Sequence, residues 1–131
     1  TTVLERADHV VLCMQQNLTH LQDACRLRNI LRDELGVADR RMILAVNRYD
    51  ARNAVSLTDI DKNLAGPVQV IIPNDYKRVS ENVNLGIPLY EQARGAPISK
   101  AINKLMQEIC GCQSVPRRGL LTRVLGSLQS A

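Results

Sequence analysis

Residues 42–50, Met-Ile-Leu-Ala-Val-Asn-Arg-Tyr-Asp, decide the fold, because five consecutive apolar side chains lead directly into a polar segment. A short apolar run with a polar end is typical of a strand buried on both faces of a sheet. Similar runs occur at His9–Met14 and Val68–Ile72, and Pro73 ends the second of them. The sequence therefore predicts three buried strands.

The segments between these strands have helical periodicity. Asn17 can cap the first helix and Gly36 can end it. Ser56 and Asp59 have the spacing of a capping box, which predicts a second helix that runs to Leu64. The first helix is expected to bury one apolar face, made of Leu21, Ala24, Leu27, Leu31 and Leu35.

Further helices are predicted after the third strand, over residues 75–83, 88–93 and 98–109. Strands that alternate with helices predict an α/β domain with a doubly wound, mostly parallel sheet, right-handed crossovers and helices on both faces. Three strands are few for this architecture, and the chain begins with Thr1 rather than Met. We therefore expect these residues to be part of a longer protein.

The composition is that of one globular domain. The chain has 131 residues, of which 45% are hydrophobic and 23% are charged, and this balance excludes a disordered chain. It contains no Phe and no Trp, so the core must be aliphatic. The same shortage argues against single-stranded nucleic-acid binding, which usually relies on aromatic stacking.

The positive charge is concentrated at one end of the chain. The net charge is +4, and the last fifteen residues hold Arg117, Arg118 and Arg123 but no acidic residue. The other 116 residues carry 14 basic and 13 acidic side chains. Such a nearly neutral body predicts no broad phosphate-binding surface, so nucleic acid is not an expected partner.

Cysteine and histidine usage predicts neither a disulfide framework nor a metal site. Cys13 and Cys25 lie in apolar patterns and are predicted to be small buried side chains. The other two cysteines form Cys-Gly-Cys at 110–112, and His9 and His20 do not complete a zinc-binding spacing with them. Both histidines are predicted to be structural. This usage suits a reducing cytoplasm.

Polar segments follow all three predicted strands, at 15–17, 47–50 and 73–75. Ligands of open parallel sheets bind beyond the carboxyl ends of the strands, so these amide and carboxylate groups are candidates for one binding edge. The alternative is that the strand ends are polar only because they reach water. No Gly-rich phosphate loop or nucleophile–base pair is present, so the sequence predicts no catalytic residues and no self-contained catalysis.

Four segments occur in a specific order over roughly residues 3–110: Ala7-Asp8-His-Val-Val-Leu12, Asn47-Arg48, Ile72-Pro73-Asn74-Asp75 and Asn84-Leu-Gly-Ile-Pro88-Leu89. In order and spacing they resemble the C-terminal half of the MinD/ParA-type P-loop ATPases. Within that group the chain is most similar to the Flp (Tad) pilus-assembly proteins CpaE and TadZ. The resemblance implies a fragment of a P-loop NTPase-like sheet, with about three strands flanked by helices.

The resemblance also implies a nucleotide site. Asn47 would contact the adenine base of ATP, and Pro73 and Asp75 would line the other side of the base. The family's phosphate loop, switch residues and magnesium-binding acid lie upstream of the matching segments. ATP and Mg²⁺ are therefore expected in a longer parent protein, and no tightly bound cofactor or metal is expected in this chain alone.

A basic tail follows the ATPase-like segment. Residues 1–110 are predicted to be the C-terminal part of the ATPase-like domain, and 111–131 a linker and an amphipathic tail. The tail resembles the C-terminal membrane-targeting helix of MinD, and its alternatives are packing on the domain, an oligomer contact or a disordered end. The residues expected to contact a membrane or a partner are Arg117, Arg118, Leu120, Leu121, Arg123, Val124, Leu125 and Leu128.

The resemblance implies a function for the whole parent protein. A CpaE/TadZ-like protein would localise and organise the Flp/Tad pilus secretion machinery through nucleotide-dependent homodimerisation. It would work in the bacterial cytoplasm and peripherally at the inner membrane. Two alternatives remain: a non-catalytic scaffold with a degenerate nucleotide site, and a ParA-type partition ATPase, which would need DNA binding.

Overall fold

Three parallel strands form one sheet in the computed structural model, which describes residues 2–111. The strands are β1 (Val10–Gln15), β2 (Met42–Tyr49) and β3 (Val70–Pro73), and they lie in this order across the sheet. β2 therefore has a strand on each side, whereas β1 and β3 form the edges of the described sheet. The parallel α/β architecture predicted from the sequence is confirmed.

Six α-helices accompany the sheet in this part of the chain: α1 (Thr2–Arg6), α2 (Leu18–Asn29), α3 (Leu57–Leu64), α4 (Tyr76–Leu85), α5 (Leu89–Gln92) and α6 (Pro97–Cys110). A π-helical turn at Ile30–Glu34 prolongs α2, and a 3-10 turn at Asp39–Arg41 leads into β2. Of these elements, α1 and the 3-10 turn were not predicted, whereas residues 30–34 lie within the helix predicted to run from Leu18 to Gly36. Within residues 2–111, no helix combines the length and the apolar character needed to cross a membrane.

The predicted helix caps are present. The Asn17 side chain accepts a hydrogen bond from the backbone nitrogen of His20 at 2.7 Å, at the start of α2. Ser56 Oγ accepts from the backbone nitrogen of Asp59 at 3.1 Å, and the Asp59 carboxylate accepts from the backbone nitrogen of Ser56 at 3.1 Å. These bonds satisfy backbone donors that a helix start leaves without partners. Local sequence therefore sets where α2 and α3 begin.

The core lies on both faces of β2. Leu44 and Val46 belong to a cluster on one face that also contains Ile60 of α3, and both Val46 and Ile60 have no exposed surface. On the opposite face, Val70 of β3 packs in a cluster to which Leu105 of α6 contributes. The clusters are aliphatic, as the absence of Phe and Trp predicts.

β1 departs from the prediction of a strand buried on both faces. Leu12 and Met14 are buried, but the alternate side chains Val11 and Cys13 are exposed. β1 is an edge strand, and the cluster beneath α6 is built from β2 and β3, so nothing in the described chain covers this side of β1. The prediction that Cys13 is buried is therefore wrong, and Cys25 is only half-buried.

The apolar face predicted for the first helix is corrected at one position. Leu27 is 49% exposed, because it lies at the outer edge of β1, where it lines a shallow cleft with Cys13. Arg28 is buried instead, and its guanidinium pairs with Asp39 at 3.1 Å. The same guanidinium would lie 3.2 Å from a Cβ added at Gly66. Arg28 thus connects α2 to the segments that precede β2 and β3.

Candidate functional site

The carboxyl ends of the three strands lie along one edge of the sheet. Gln15 at the end of β1 is in register with Asn47, and Tyr49 at the end of β2 is in register with Pro73 of β3. In parallel sheets this edge is where ligands bind. Some polar side chains at this edge make hydrogen bonds within the fold, and others are available to a ligand.

The polar side chains at the end of β1 make hydrogen bonds that stabilise the fold. Gln16 is buried, and its Nε2 donates to the carbonyl of Val55 at 3.0 Å. Its Oε1 accepts from the backbone nitrogen of Asp50 at 2.7 Å. Asn17 caps α2, and His20 Nδ1 accepts from the backbone nitrogen of Gln15 at 3.2 Å. These side chains connect β1 to α2 and to the loop after β2, so this end offers few free groups.

A cleft lies between the ends of β2 and β3. It measures about 310 Å³, at the lower end of the range for small-molecule sites of roughly 300–1,000 Å³. The structure brings the three residues predicted to contact the base, Asn47, Pro73 and Asp75, to this one cleft. Their role in binding a nucleotide stays a prediction. The full lining is Asn47, Arg48, Pro73, Asn74, Asp75, Tyr76, Val79 and Ile98.

Asn47 sits at an irregularity in the sheet. The register between β2 and β3 shifts between Val46 and Tyr49, and Arg48 has a left-handed backbone with φ of 53°. Side-chain Oδ1 of Asn47 accepts from the backbone nitrogen of Arg48 at 2.9 Å, which supports this turn. Among the described residues no protein group accepts from the Asn47 amide nitrogen. That nitrogen is therefore a hydrogen-bond donor available at the cleft.

Asp75 has a structural task at the other side of the cleft. Its carboxylate caps α4 by accepting from the backbone nitrogen of Arg78 at 3.4 Å, and it also pairs with the Arg78 guanidinium. The hydrogen bond from Arg78 holds the pKa of Asp75 below its ordinary value. Its side chain is 18% exposed. Asp75 is thus an ionised, mostly covered group that positions the start of α4 against the cleft.

The cleft also contains residues that the sequence did not single out. Val79 of α4 and Ile98 of α6 add apolar surface, and Ile98 was predicted only as the first residue of the helix over 98–109. Tyr76 is 72% exposed at the rim, and its position next to Asp75 was the one available signal. Apolar surface next to the amide groups of Asn47 and Asn74 suits a flat heteroaromatic ring, because such a ring has apolar faces and polar edges.

The structure does not describe the residues predicted to contact a membrane or a partner. The tail residues, Arg117, Arg118, Leu120, Leu121, Arg123, Val124, Leu125 and Leu128, lie outside the described residues. Within residues 2–111 we find no group of three or more His, Cys, Asp or Glu side chains that could hold a metal ion.

Comparison with known proteins identifies the fold. No protein-family model and no curated protein matches this sequence. The chain is similar to a ParA family ATPase from Chlorobium tepidum TLS, with a TM-score of 0.65 and 20% identity over 81% of this chain and 42% of that one. It is also similar to the MinC:MinD cell division protein complex of Aquifex aeolicus, with a TM-score of 0.67 and 23% identity over 84% and 45% of the two chains. A third similar structure is the septum site-determining protein MinD of Pyrococcus horikoshii OT3 complexed with Mg-ADP, with a TM-score of 0.64 and 21% identity over 79% and 41%.

Identities this low establish the fold alone. The described residues have the parallel sheet and flanking helices of MinD/ParA-type P-loop NTPases, which confirms the predicted fold class and the broader part of the resemblance. The chain spans less than half the length of each of the three structures. These comparisons do not separate CpaE and TadZ from other MinD/ParA-type proteins, so that finer assignment stays a prediction.

Proposed function

We propose that this chain forms the base-binding part of a bacterial Flp/Tad pilus-assembly protein of the CpaE/TadZ type. In this proposal the longer parent protein binds ATP, and nucleotide-dependent homodimerisation localises and organises the pilus secretion machinery. The parent works in the bacterial cytoplasm and peripherally at the inner membrane. The order and spacing of the four sequence segments support the pilus assignment, and the fold supports the nucleotide-dependent part.

The cleft between β2 and β3 carries the proposal. In the proposal the amide nitrogen of Asn47 donates to a ring nitrogen of adenine, since the unprotonated ring nitrogens of adenine are acceptors. Pro73 and Val79 supply apolar surface for the faces of the ring. The site therefore selects an aromatic base by shape and one directed hydrogen bond, while Asp75 keeps α4 in place.

The phosphates and Mg²⁺ need groups that the described residues do not offer. No P-loop pattern occurs anywhere in the sequence, and the described residues contain no cluster of metal ligands. In the proposal these groups come from a preceding part of the parent protein. The similar MinD structure complexed with Mg-ADP supports the choice of nucleotide, and the MinC:MinD complex supports a partner protein.

The chain alone is expected to show no ATP hydrolysis above the buffer rate. Hydrolysis needs the transferred phosphate held by a phosphate loop, a cation and a positioned water, and Asn47 can only hold the base. A phosphate-release assay on the purified chain with ATP and Mg²⁺ tests this. Turnover that disappears in the Asn47→Ala variant would contradict the expectation, because it would place a complete catalytic site within these 131 residues.

The tail is proposed to attach the parent protein to anionic membrane surfaces. Its leucines and valine fall on one helical face in the sequence, with arginines at the start and on the other face. Leu121→Glu is expected to reduce sedimentation with anionic liposomes about tenfold or more, since it places a charge on the apolar face. Thr122→Glu adds the same charge on the polar face and is the matched control. Equal binding by both variants and the original chain would exclude a membrane role for the apolar face.

Two other functions remain open to test in the longer parent protein. Stoichiometric ATP binding separates a nucleotide-driven protein from a scaffold with a degenerate site. The similarity to a ParA family ATPase is consistent with the partition alternative at the level of the fold. A salt-sensitive shift of non-specific DNA by the parent protein would support that alternative, since DNA binding by basic surfaces weakens steeply with salt.

A further inference from the structure

An apolar groove lies between α5 and α6 and is separate from the cleft described above. Its volume is about 470 Å³, and its walls include Leu89 and Tyr90 of α5 and Ile102 and Met106 of α6. Tyr90 is 52% exposed, Ile102 is 44% exposed and Met106 is 49% exposed. Contiguous exposed apolar surface of this kind marks an interaction site in a soluble domain.

Two further observations describe the surface that an occupant of this groove would contact. Ile109 is also exposed, so Ile102, Met106 and Ile109 form an apolar stripe along α6 at spacings of four and three residues. This stripe leads to the end of α6 at Cys110. The groove is also lined by Ser99, which is only 3% exposed and whose hydroxyl oxygen has no hydrogen-bond partner. Because Ser99 is covered, the accessible surface of the groove is almost entirely apolar, which suits an apolar occupant.

The chain supplies a segment with a matching apolar face. Gly111 has φ of 64° and ends α6, which releases the chain at the end of the stripe. Pro116 follows in the sequence, and a proline disfavours a continuous helix across its position. Beyond it, the sequence places five apolar residues on one helical face, and they are Leu120, Leu121, Val124, Leu125 and Leu128.

The connection is long enough for this segment to fold back. Eight residues, 112–119, separate Gly111 from Leu120, and at ~3.3 Å per residue they span up to about 26 Å. Met106 lies five residues before Gly111, which is only about 8 Å along a helix that rises ~1.5 Å per residue. Antiparallel helices are commonly joined by roughly 2–8 residues. The reach therefore exceeds the distance that the chain must return.

We propose that residues 120–128 bind as a helix in the α5–α6 groove of the same chain, with their apolar face against Met106 and its neighbours. A tethered segment has an effective concentration in the millimolar range, so this site fills in preference to the same groove on a second copy. The leucines involved are the ones proposed above to enter a membrane. Groove binding and membrane binding therefore exclude each other, and the groove is the site that the tail occupies in solution.

Limited trypsin digestion of the full chain without vesicles tests the proposal. Arg123 lies inside the segment proposed to be bound, so a first cut there, in a chain still intact at Arg117 and Arg118, requires release from the groove. Intact-mass analysis early in the digestion identifies which cut comes first. Met106→Glu and Leu121→Glu are each expected to raise the rate of cleavage after Arg123 about fivefold or more, since proteolysis follows the population of the open form. Leu18→Glu is the matched control, because Leu18 is a 63% exposed side chain of α2, on the other side of the sheet.

Several outcomes of the digestion would contradict binding of the segment in the groove of its own chain. If the original chain, Met106→Glu, Leu121→Glu and Leu18→Glu were all cleaved after Arg123 at the same rate, and their urea denaturation midpoints were unchanged, the proposal would be overturned. Protection that is lost on dilution would also overturn it, because the occupant would then be a second copy. If cleavage after Arg123 slowed only when anionic vesicles were added, the segment would bind the membrane and not the groove. A methyl resonance of Met106 that shifts when residues 119–131 are deleted, in a protein at low concentration, gives the same answer without a substitution.

Discussion

Replacement of Asn47 by alanine in the longer parent protein is expected to weaken ATP binding about tenfold, which corresponds to one hydrogen bond of roughly 1–1.5 kcal/mol. Asn47 lines the cleft between β2 and β3, and its Oδ1 already accepts from the backbone nitrogen of Arg48, so its amide nitrogen is the group expected to donate to the base. Removing the amide leaves a ring nitrogen of the base without a partner. Isothermal titration of the parent protein with ATP, with and without Mg²⁺, measures the change.

Asn84→Ala is the matched control for this experiment. Asn84 is an exposed asparagine near the end of α4 and does not line the cleft. Its replacement should leave ATP affinity unchanged. Unchanged affinity in the Asn47 variant would place the base elsewhere. An equal loss in both variants would mean that the substitutions act through folding rather than through a contact with the base.

Replacement of Ile60 by alanine is expected to lower the free energy of unfolding by about 3 kcal/mol, within the range of ~2–5 kcal/mol for buried isoleucines. Ile60 has no exposed surface and joins α3 to Leu44 and Val46 at the centre of the sheet. Truncation removes apolar burial and leaves a cavity that strands on both sides of β2 prevent from closing. Urea denaturation followed by far-ultraviolet circular dichroism measures the change in midpoint.

Ile87→Ala provides the comparison for Ile60. Ile87 is 39% exposed, so the same change of side chain removes much less buried surface. Its cost should be below about 1 kcal/mol. If the two variants lost equal stability, Ile60 would not occupy the packed interior that the structure assigns to it.

Local sequence predicted the elements of the fold well because each one carries its own signal. The apolar runs identify the three strands, and Asn17 and Ser56 identify the starts of α2 and α3. Hydrogen bonds at both caps confirm those starts. Elements without such signals were missed: α1 is five residues long, and the turn at Asp39–Arg41 is three residues long.

Which side chains are buried at the edge of the sheet could not be predicted from the apolar runs in the sequence. Val11 and Cys13 have apolar neighbours in sequence, yet they are exposed because β1 has one strand neighbour and no helix over that side. Leu27 has the correct helical spacing and is exposed because α2 lies over an edge strand, so its outer flank has no neighbouring element in the described chain. Arg28 is buried because Asp39, eleven residues away, supplies a partner for its charge.

The candidate site shows the same division. Asn47, Pro73 and Asp75 were predicted from the polar ends of β2 and β3 and from the family resemblance, since parallel strands bring their carboxyl ends to one edge. Ile98 joins the same cleft from a helix that lies fifty-one residues beyond Asn47. No pattern near Ile98 indicates this, because helical periodicity shows only that a face is apolar.

By itself, the sequence determined the alternation of strands and helices, the parallel sheet, the helix caps and the polar edge, because these depend on residues close together in the chain. Only the tertiary structure decided which apolar residues are covered, that Arg28 is buried against Asp39, and that α5 and α6 leave an open groove. Those features depend on which elements become neighbours in space. Burial and ion pairing are properties of pairs of surfaces, and a linear pattern describes one surface at a time.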